Sequence, residues 1–522
     1  MAIQLRKIIT EIGNSILTAY FLVMMVIYPF YIKNGYREIG NVKYYFFRNI
    51  SLVMVGMMLM IAVCLFLLQR KEVSVAAHYK RLSGTDWFVY GYFMSLLLSY
   101  VFSSFRKEAL WGARGWYMGL VSQLILVAIY FFFSRFFRWN EKWLYVILLA
   151  SGLVFLLGIL NRYSIYPLTI SGRTPAFIST LGNINWFCGY WAVLCPLGVL
   201  FYRNSRKGYE QLAAGIYVIL AFLIGVVQGS SSAYLSLAGI FLFLFCISFR
   251  ENKAMQRLLE ICILFAASCQ IARFLRYLPG LNINYENELG ALFTDSNVTL
   301  YTGMIVLIFY LWFGYLVKQK DMQIAKYKKI RNVALLLLFI LLAGYFVLLT
   351  ANTCISGGIL GLSDIPFFTF NDEWASARGA TWSIGLQAYR NMTPLHKLIG
   401  VGPDCFAEYI YAVPNIATRT YSLFGSSRLT NAHNEWITIL VNQGITGLVC
   451  FVGIFVTAFF KFIKKAPMQP FLYLCAASLL SYTLHNMVSF QQVLNVPFVF
   501  MILGIGEGLT NKDSSSKIKA YS

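Results

Sequence analysis

Runs of about twenty mostly apolar residues, separated by short polar breaks, repeat along almost the whole chain. A helix needs roughly 20 such residues to cross the hydrocarbon of a bilayer. The pattern predicts spans at 9–32, 50–68, 87–104, 116–133, 143–160, 185–202 and 212–229. It continues at 233–248, 258–275, 298–317, 332–351, 433–460, 468–486 and 491–509. Helices satisfy their own backbone in lipid, and no ten-residue alternation points to a barrel instead. The expected fold class is an all-α integral membrane protein of about fourteen transmembrane helices, with one large extracytoplasmic loop at 352–432 containing short helices. The first apolar run follows Arg6 and Lys7 and is too long for a cleavable leader, so it reads as a retained anchor.

The pattern divides the chain into an N-terminal bundle of about eleven spans (1–351), the loop (352–432), about three C-terminal spans (433–509) and a tail (510–522). Loops of this length without a function are uncommon. Within it, Glu373 to Asn391 reads as a helix on which Trp374, Arg378 and Trp382 recur every four residues and share a face.

Composition supports the bilayer as the main solvent: 59% of the 522 residues are hydrophobic and 12% charged, about half the charge of a soluble chain. The net charge of +22 lies in short loops between apolar runs. No basic stripe or recognition module stands outside the spans, which argues against nucleic acid as a partner. With the N-terminus inside, the inner segments hold 27 of the 43 Lys and Arg residues. Both termini and the Lys318–Arg331 segment are then cytoplasmic and the large loop is outside. The first outer loop, with Lys33, Arg37, Lys43 and Arg48, fits this rule poorly. The ten cysteines include no C-x-x-C, so zinc and thioredoxin-type chemistry are not indicated. Cys354 and Cys405 share the loop, either as a disulfide or as two free thiols.

Four polar features fall on the outer face. They are "RTPAFISTLGNINWFCGYWAVLCP" (Arg173 to Pro196), "QGSSSAY" (Gln228 to Tyr234), "SARGATW" with "IGVGPDCF" (Ser376 to Phe406), and "NAHNEW" with "VNQGITGL" (Asn431 to Leu448). No D-x-D-like pair offers a metal site, so arginine is the available electrophile for a phosphate. Arg378 supplies a planar, always-charged fork, with Trp374 and Trp382 placed for cation–π contact or sugar stacking. His433 is the best base, a neutral imidazole able to take a proton near neutral pH. Asn431 reads as the helix N-cap, placing His433 in the first turn, where the positive helix end disfavours imidazolium. Glu435 is too close in sequence to face His433. His396 and His485 are weaker candidates, and His78 reads as a solvated loop residue. Gly400, Gly402 and Pro403 shape a tight turn, with Asp404 beside it.

The order of Arg378 and Trp382, then "GVGPDCF", then "AHNEW" and a glycine-bearing helix resembles the O-antigen ligase and polymerase superfamily. The likeness is specific over about 350–450, weaker at 173–240 and absent before 170. "LGNINWFCGY", with Asn185, is similar to that family's asparagine-rich entry to a span. The resemblance implies a glycosyltransferase of the bacterial plasma membrane, working on the outer face. It would move a glycan from a polyprenyl diphosphate carrier (undecaprenyl diphosphate) to a glycan or lipid acceptor hydroxyl, without a cofactor or metal. One departure is clear: Ser231 stands where the family pattern carries an arginine. Arg173, Arg390, Arg419 or Arg428 could supply the second phosphate contact instead.

These readings give Arg378 and His433 as catalytic, and Arg173, Asn185, Ser231, Trp374, Trp382, Gly402, Asp404, Asn434 and Glu435 as substrate-binding. The rival from another class is a flippase of lipid-linked glycan, although no matching halves with interrupted helices are present. The basic residues of the outer segments, Arg162 and Arg173 among them, lean the reading toward a polymerase holding two diphosphates over a ligase holding one.

Overall fold

The computed structural model describes residues 2–69, 82–206, 208–284, 287–355, 362, 365 and 367–518. His78 lies outside them. Among the described residues the only strands are Phe177–Ile178 and Gly182–Asn183, an antiparallel pair with Phe177 opposite Asn183. All other regular structure is helical. Among the described residues nine helices are long and apolar enough to cross a membrane, and four shorter ones (Leu120–Phe136, Ser232–Ser248, Phe471–His485 and Val496–Thr510) are also apolar. The predicted 87–104 span is the Gly84–Val101 helix, opened by a capping box between Ser83 and Asp86.

The C-terminal helices pack among the N-terminal ones. Glu435–Lys465 lies along Gly84–Val101, Val496–Ile518 along Leu120–Phe136, and Phe471–His485 against Ile184–Asn204 and Ser232–Ser248. Small residues permit the close approach. A Cβ at Gly504 would stand 2.9 Å from the Tyr130 carbonyl, and one at Gly508 3.1 Å from that of Ser134. Val298–Gln319 packs on Asn252–Arg276, and both it and Lys328–Cys354 are apolar and exposed along most of their length.

Lys43 accounts for one of the four cations behind the misfit of the first predicted loop. It lies in the Ile39–Gln69 helix, fully buried, and its ammonium donates to the carbonyls of Tyr28 and Pro29 where the first helix ends. It satisfies helix-end carbonyls and is not a loop charge.

The large loop builds its own small core from Ile384, Ala388, Met392, Val401, Phe406 and Ile410, joined by Ala109. Cys405 is buried in that core and Cys354 is exposed; both are free thiols. This subdomain docks on a break in the Glu435–Lys465 helix, which the sequence pattern predicts as unbroken. Gly444 adopts φ +67° there, a conformation open to glycine at little cost. The carbonyls of Val441 and Asn442 are thereby free to accept from the amides of Val401 (3.2 Å) and Gly402 (3.0 Å). Ser99 also donates to the Asn442 carbonyl, at 2.6 Å. The G-V-G-P turn is thus stitched into the interrupted span.

Candidate active site

The Asn431–Asn434 segment carries His433 to the mouth of the bundle. Asn434, not Asn431, caps the helix, accepting from the Ile437 amide at 3.2 Å. Asn431 instead accepts from the His433 amide at 2.9 Å. His433 therefore sits before the helix and not in its first turn, at φ +48°. Its ring meets Phe490 edge to face at 5.3 Å. Burial, and then the Arg378 charge, push the imidazole down to about 4, so it is neutral at physiological pH.

Arg378 is aimed by a backbone feature that the periodicity does not predict. Ala375, Ser376 and Ala377 all have positive φ, so the first turn of the Trp374–Arg390 helix is left-handed. The expected regular face of Trp374, Arg378 and Trp382 is broken at that turn. The two indoles instead pack against each other, centroids 5.3 Å apart, and their buried N–H groups have no acceptor. The guanidinium reaches across to the bundle. Its Nε donates to the Val488 carbonyl (3.1 Å), and its two terminal nitrogens to the Ala375 carbonyl (2.9 Å) and the Ser231 hydroxyl (3.2 Å). A guanidinium has five N–H donors, so these three bonds leave about two for a ligand. Burial lowers its pKa, yet the group stays charged. Among the described residues no carboxylate pairs with it.

The serines on either side of Ser231 form a short polar relay. Ser230 donates to Asn185 Oδ1 at 2.8 Å and lies 2.8 Å from Ser232 Oγ, which in turn is 3.0 Å from His485 Nδ1. Asn185, Ser231, His485, Arg378 and His433 are thus gathered at one end of the bundle.

Other predicted site residues hold the scaffold. Glu435 accepts from the backbone amide (2.7 Å) and side chain (2.9 Å) of Gln491, while its own amide donates to the Asn486 carbonyl. It fixes the 486–495 loop that supplies Val488 and Phe490. Asp404, at φ +58°, accepts from the amides of Ala113 (2.8 Å) and Met118 (2.9 Å) and anchors the 112–118 loop. Burial raises its carboxyl to about 7, with those two amides pulling the other way. Both acids border one small cavity with Asn431 and Gln491. Gly402, at φ +130°, contributes its backbone to the turn. His396 contacts Thr393 of its own short helix and the Phe102 carbonyl.

Arg173 is not brought to this cluster. It lies on its own loop, over Tyr166 at 4.5 Å, donating to the carbonyls of Leu168 and Ile170. Arg419 pairs with Asp372 at 2.7 Å and Arg428 with Glu408 at 2.5 Å. No group of three or more His, Cys, Asp or Glu with metal-holding geometry occurs among the described residues.

Residues 289–452 match the family model described as O-antigen ligase. Over these residues the chain is similar to the O-antigen ligase superfamily. No curated protein matches the chain. The O-antigen ligase match takes in Arg378, Asp404, His433 and Glu435, but not Asn185 or Ser231, which the fold brings to the same place. With its apolar helices, the chain is a multi-pass membrane protein that carries an O-antigen-ligase-type segment. Three contributors have no sequence signal in this reading: the Val488 carbonyl, the Phe490 ring and Gln491. They sit in a short loop between the last two spans, and one of them acts through its backbone alone.

Proposed function

We propose that the protein transfers a glycan from a polyprenyl diphosphate carrier to an acceptor hydroxyl on the extracytoplasmic face, with both termini cytoplasmic. The observation that carries this reading is the junction of Arg378 with Ser231 beside a neutral His433. In the reaction the acceptor oxygen bonds to the anomeric carbon as the carbon–oxygen bond to the diphosphate breaks. The acceptor proton passes to His433, and the carrier departs as its diphosphate. Arg378 meets the charge that develops on the leaving group, the role a metal would otherwise fill. The Ser231 hydroxyl stands in for the family's second arginine by orienting Arg378. On this reading Asn185, Asn434, Trp374 and Trp382 are the side chains that meet the sugar and head group.

Diphosphate binding also acts on the base. The Arg378 charge is one of the two causes that depress His433. An anion on the guanidinium offsets that charge and makes the imidazole a stronger base when donor is bound. The flippase alternative requires neither a base nor an unpaired arginine beside it.

The test is purified protein in nanodiscs with a synthetic carrier-linked donor and an acceptor glycan. We expect Arg378→Lys to abolish transfer, because a point charge cannot span Val488, Ala375, Ser231 and a phosphate together. Transfer should persist in EDTA. Inhibition by EDTA, restored by a divalent ion, would remove Arg378 from the electrophile's role.

A further inference from the structure

Three helices run from the His433 cluster to the opposite end of the bundle. Ile184–Asn204 begins beside Asn185 and ends at Arg203, Ser232–Ser248 begins at Ser232 and ends just before Arg250, and Phe471–His485 starts beside Tyr473 and ends at His485. At 1.5 Å rise per residue, Asn185 and Arg203 stand about 27 Å apart. At that far end lies a cavity of about 890 Å³.

Its wall is built around Tyr473. The guanidinium carbons of Arg203 and Arg250 both lie over this ring, 5.6 Å and 5.2 Å from its centroid, and Arg250 also donates to the hydroxyl. Arg206 and Lys253 add two further cations to the lining. Three carboxylates, Glu141, Glu210 and Glu251, oppose them, of which Glu210 accepts from Tyr145 at 2.9 Å. Two guanidiniums on one ring repel each other, and the three carboxylates against four cations leave the lining one positive charge in excess. The unsatisfied atoms point the same way. Arg203 Nε and Trp139 Nε1 are buried in this wall without an acceptor, and both are donors. The remaining wall is apolar, from Leu144, Phe201, Phe471 and Leu474. A group with anionic oxygens next to a hydrocarbon portion meets all of these demands.

We propose that this cavity is a second binding site, for a phosphate-bearing anion, on the membrane face opposite the transfer site. Basic pockets between helices at a membrane surface hold anionic head groups through this chemistry. The site is independent of the transferase reading, because nothing in its lining belongs to the His433 cluster.

The full-length protein would be released from nanodiscs of phosphatidylcholine doped with phosphatidylglycerol and its retained lipids counted by native mass spectrometry. In a second arm, protein in pure phosphatidylcholine is titrated with inorganic pyrophosphate and its melting temperature followed. We expect wild type to retain phosphatidylglycerol in preference, and Arg203→Gln with Arg250→Gln to lower that retention about tenfold, the worth of one charge-assisted hydrogen bond. A melting shift with pyrophosphate and no lipid preference would assign the site to a soluble phosphate. Should the arginine variant fail to fold, Trp139→Phe keeps an aromatic ring where the indole stacks on Phe471, at 4.0 Å, and removes the orphan donor. Reduced retention or a reduced shift is expected there too. Equal retention of both lipids together with no response to pyrophosphate, or unchanged binding in the folded variants, overturns the proposal.

Discussion

At His433 burial and a neighbouring cation act in the same direction, and this gives the base a pH signature. Its imidazole is neutral down to about 4 in the free enzyme and protonates only as pH falls through that value. The acid limb of kcat/KM, which reports the free enzyme, should lie near that value as far as this group is concerned. With a diphosphate on Arg378, the limb of kcat should move upward, toward the ordinary histidine range. Coincident limbs in the two profiles would disprove the coupling. His433→Ala should cost about 10²–10⁴-fold in kcat with expression intact. Asp404 makes a second residue-scale prediction. Its carboxyl is raised to about 7 and receives two amide protons, from Ala113 and Met118. Asn can accept both, so Asp404→Asn should melt close to wild type. Asp404→Ala leaves both amides unpaired, at about 1–3 kcal/mol each, and should melt clearly lower. Equal loss in the two variants would mean that the ionised carboxylate is required. The roles of Asp404 and Glu435 were not legible in the sequence, because an acid near a histidine reads the same whether it faces substrate or holds a loop. Arg378 and Ser231 were legible as separate features. Their contact spans 147 positions and is a property of the fold.

At the scale of elements, the apolar runs placed the helices well, since a span has no alternative way to satisfy its backbone in lipid. The runs do not reveal where a helix breaks. Val441 to Leu448 carries Asn442, Gln443 and two glycines inside an otherwise apolar run, which marks a polar stretch but not a break, and only φ +67° at Gly444 discloses the interruption. Ala375 to Ala377 reads as good helix from composition, yet it is left-handed and turns Arg378 onto the bundle. Gly444→Ala should therefore damage the site from a distance. With ψ at −170° this is a positive-φ region that is essentially glycine's alone, so an alanine there carries about 1–3 kcal/mol of backbone strain, and its Cβ would also collide with the Leu398 backbone. We expect a lower melting temperature and lost transfer, because the G-V-G-P turn hangs from the break. Gly56→Ala, with nothing within 4 Å, is the matched control and should be neutral. If Gly444→Ala keeps full activity, the interrupted helix is not needed to hold the site.

Across the whole molecule, and on the proposed reading, the distribution of cations around the site decides how many diphosphates it can hold at once. A polymerase must bind two carrier-linked units, a donor and an acceptor, whereas a ligase binds one and meets its acceptor through other groups. The sequence leaned toward a polymerase by counting arginines, but several of these are already engaged. Arg162 is fully buried, donating to the carbonyls of Pro175 and Gln228 and to Asn284. Arg173 closes its own loop, and Arg419 and Arg428 pair with acids. Arg378 is the arginine of the cluster that joins both halves of the site and keeps donors for a phosphate. A single cation of this kind suits one diphosphate. We therefore expect purified protein given only carrier-linked repeat units to yield no lengthening products, and to transfer once a distinct lipid or glycan acceptor is added. Gel or mass-spectrometric sizing of the products would decide it. A ladder formed from the carrier-linked units alone would show that a second diphosphate finds a place without an arginine of its own.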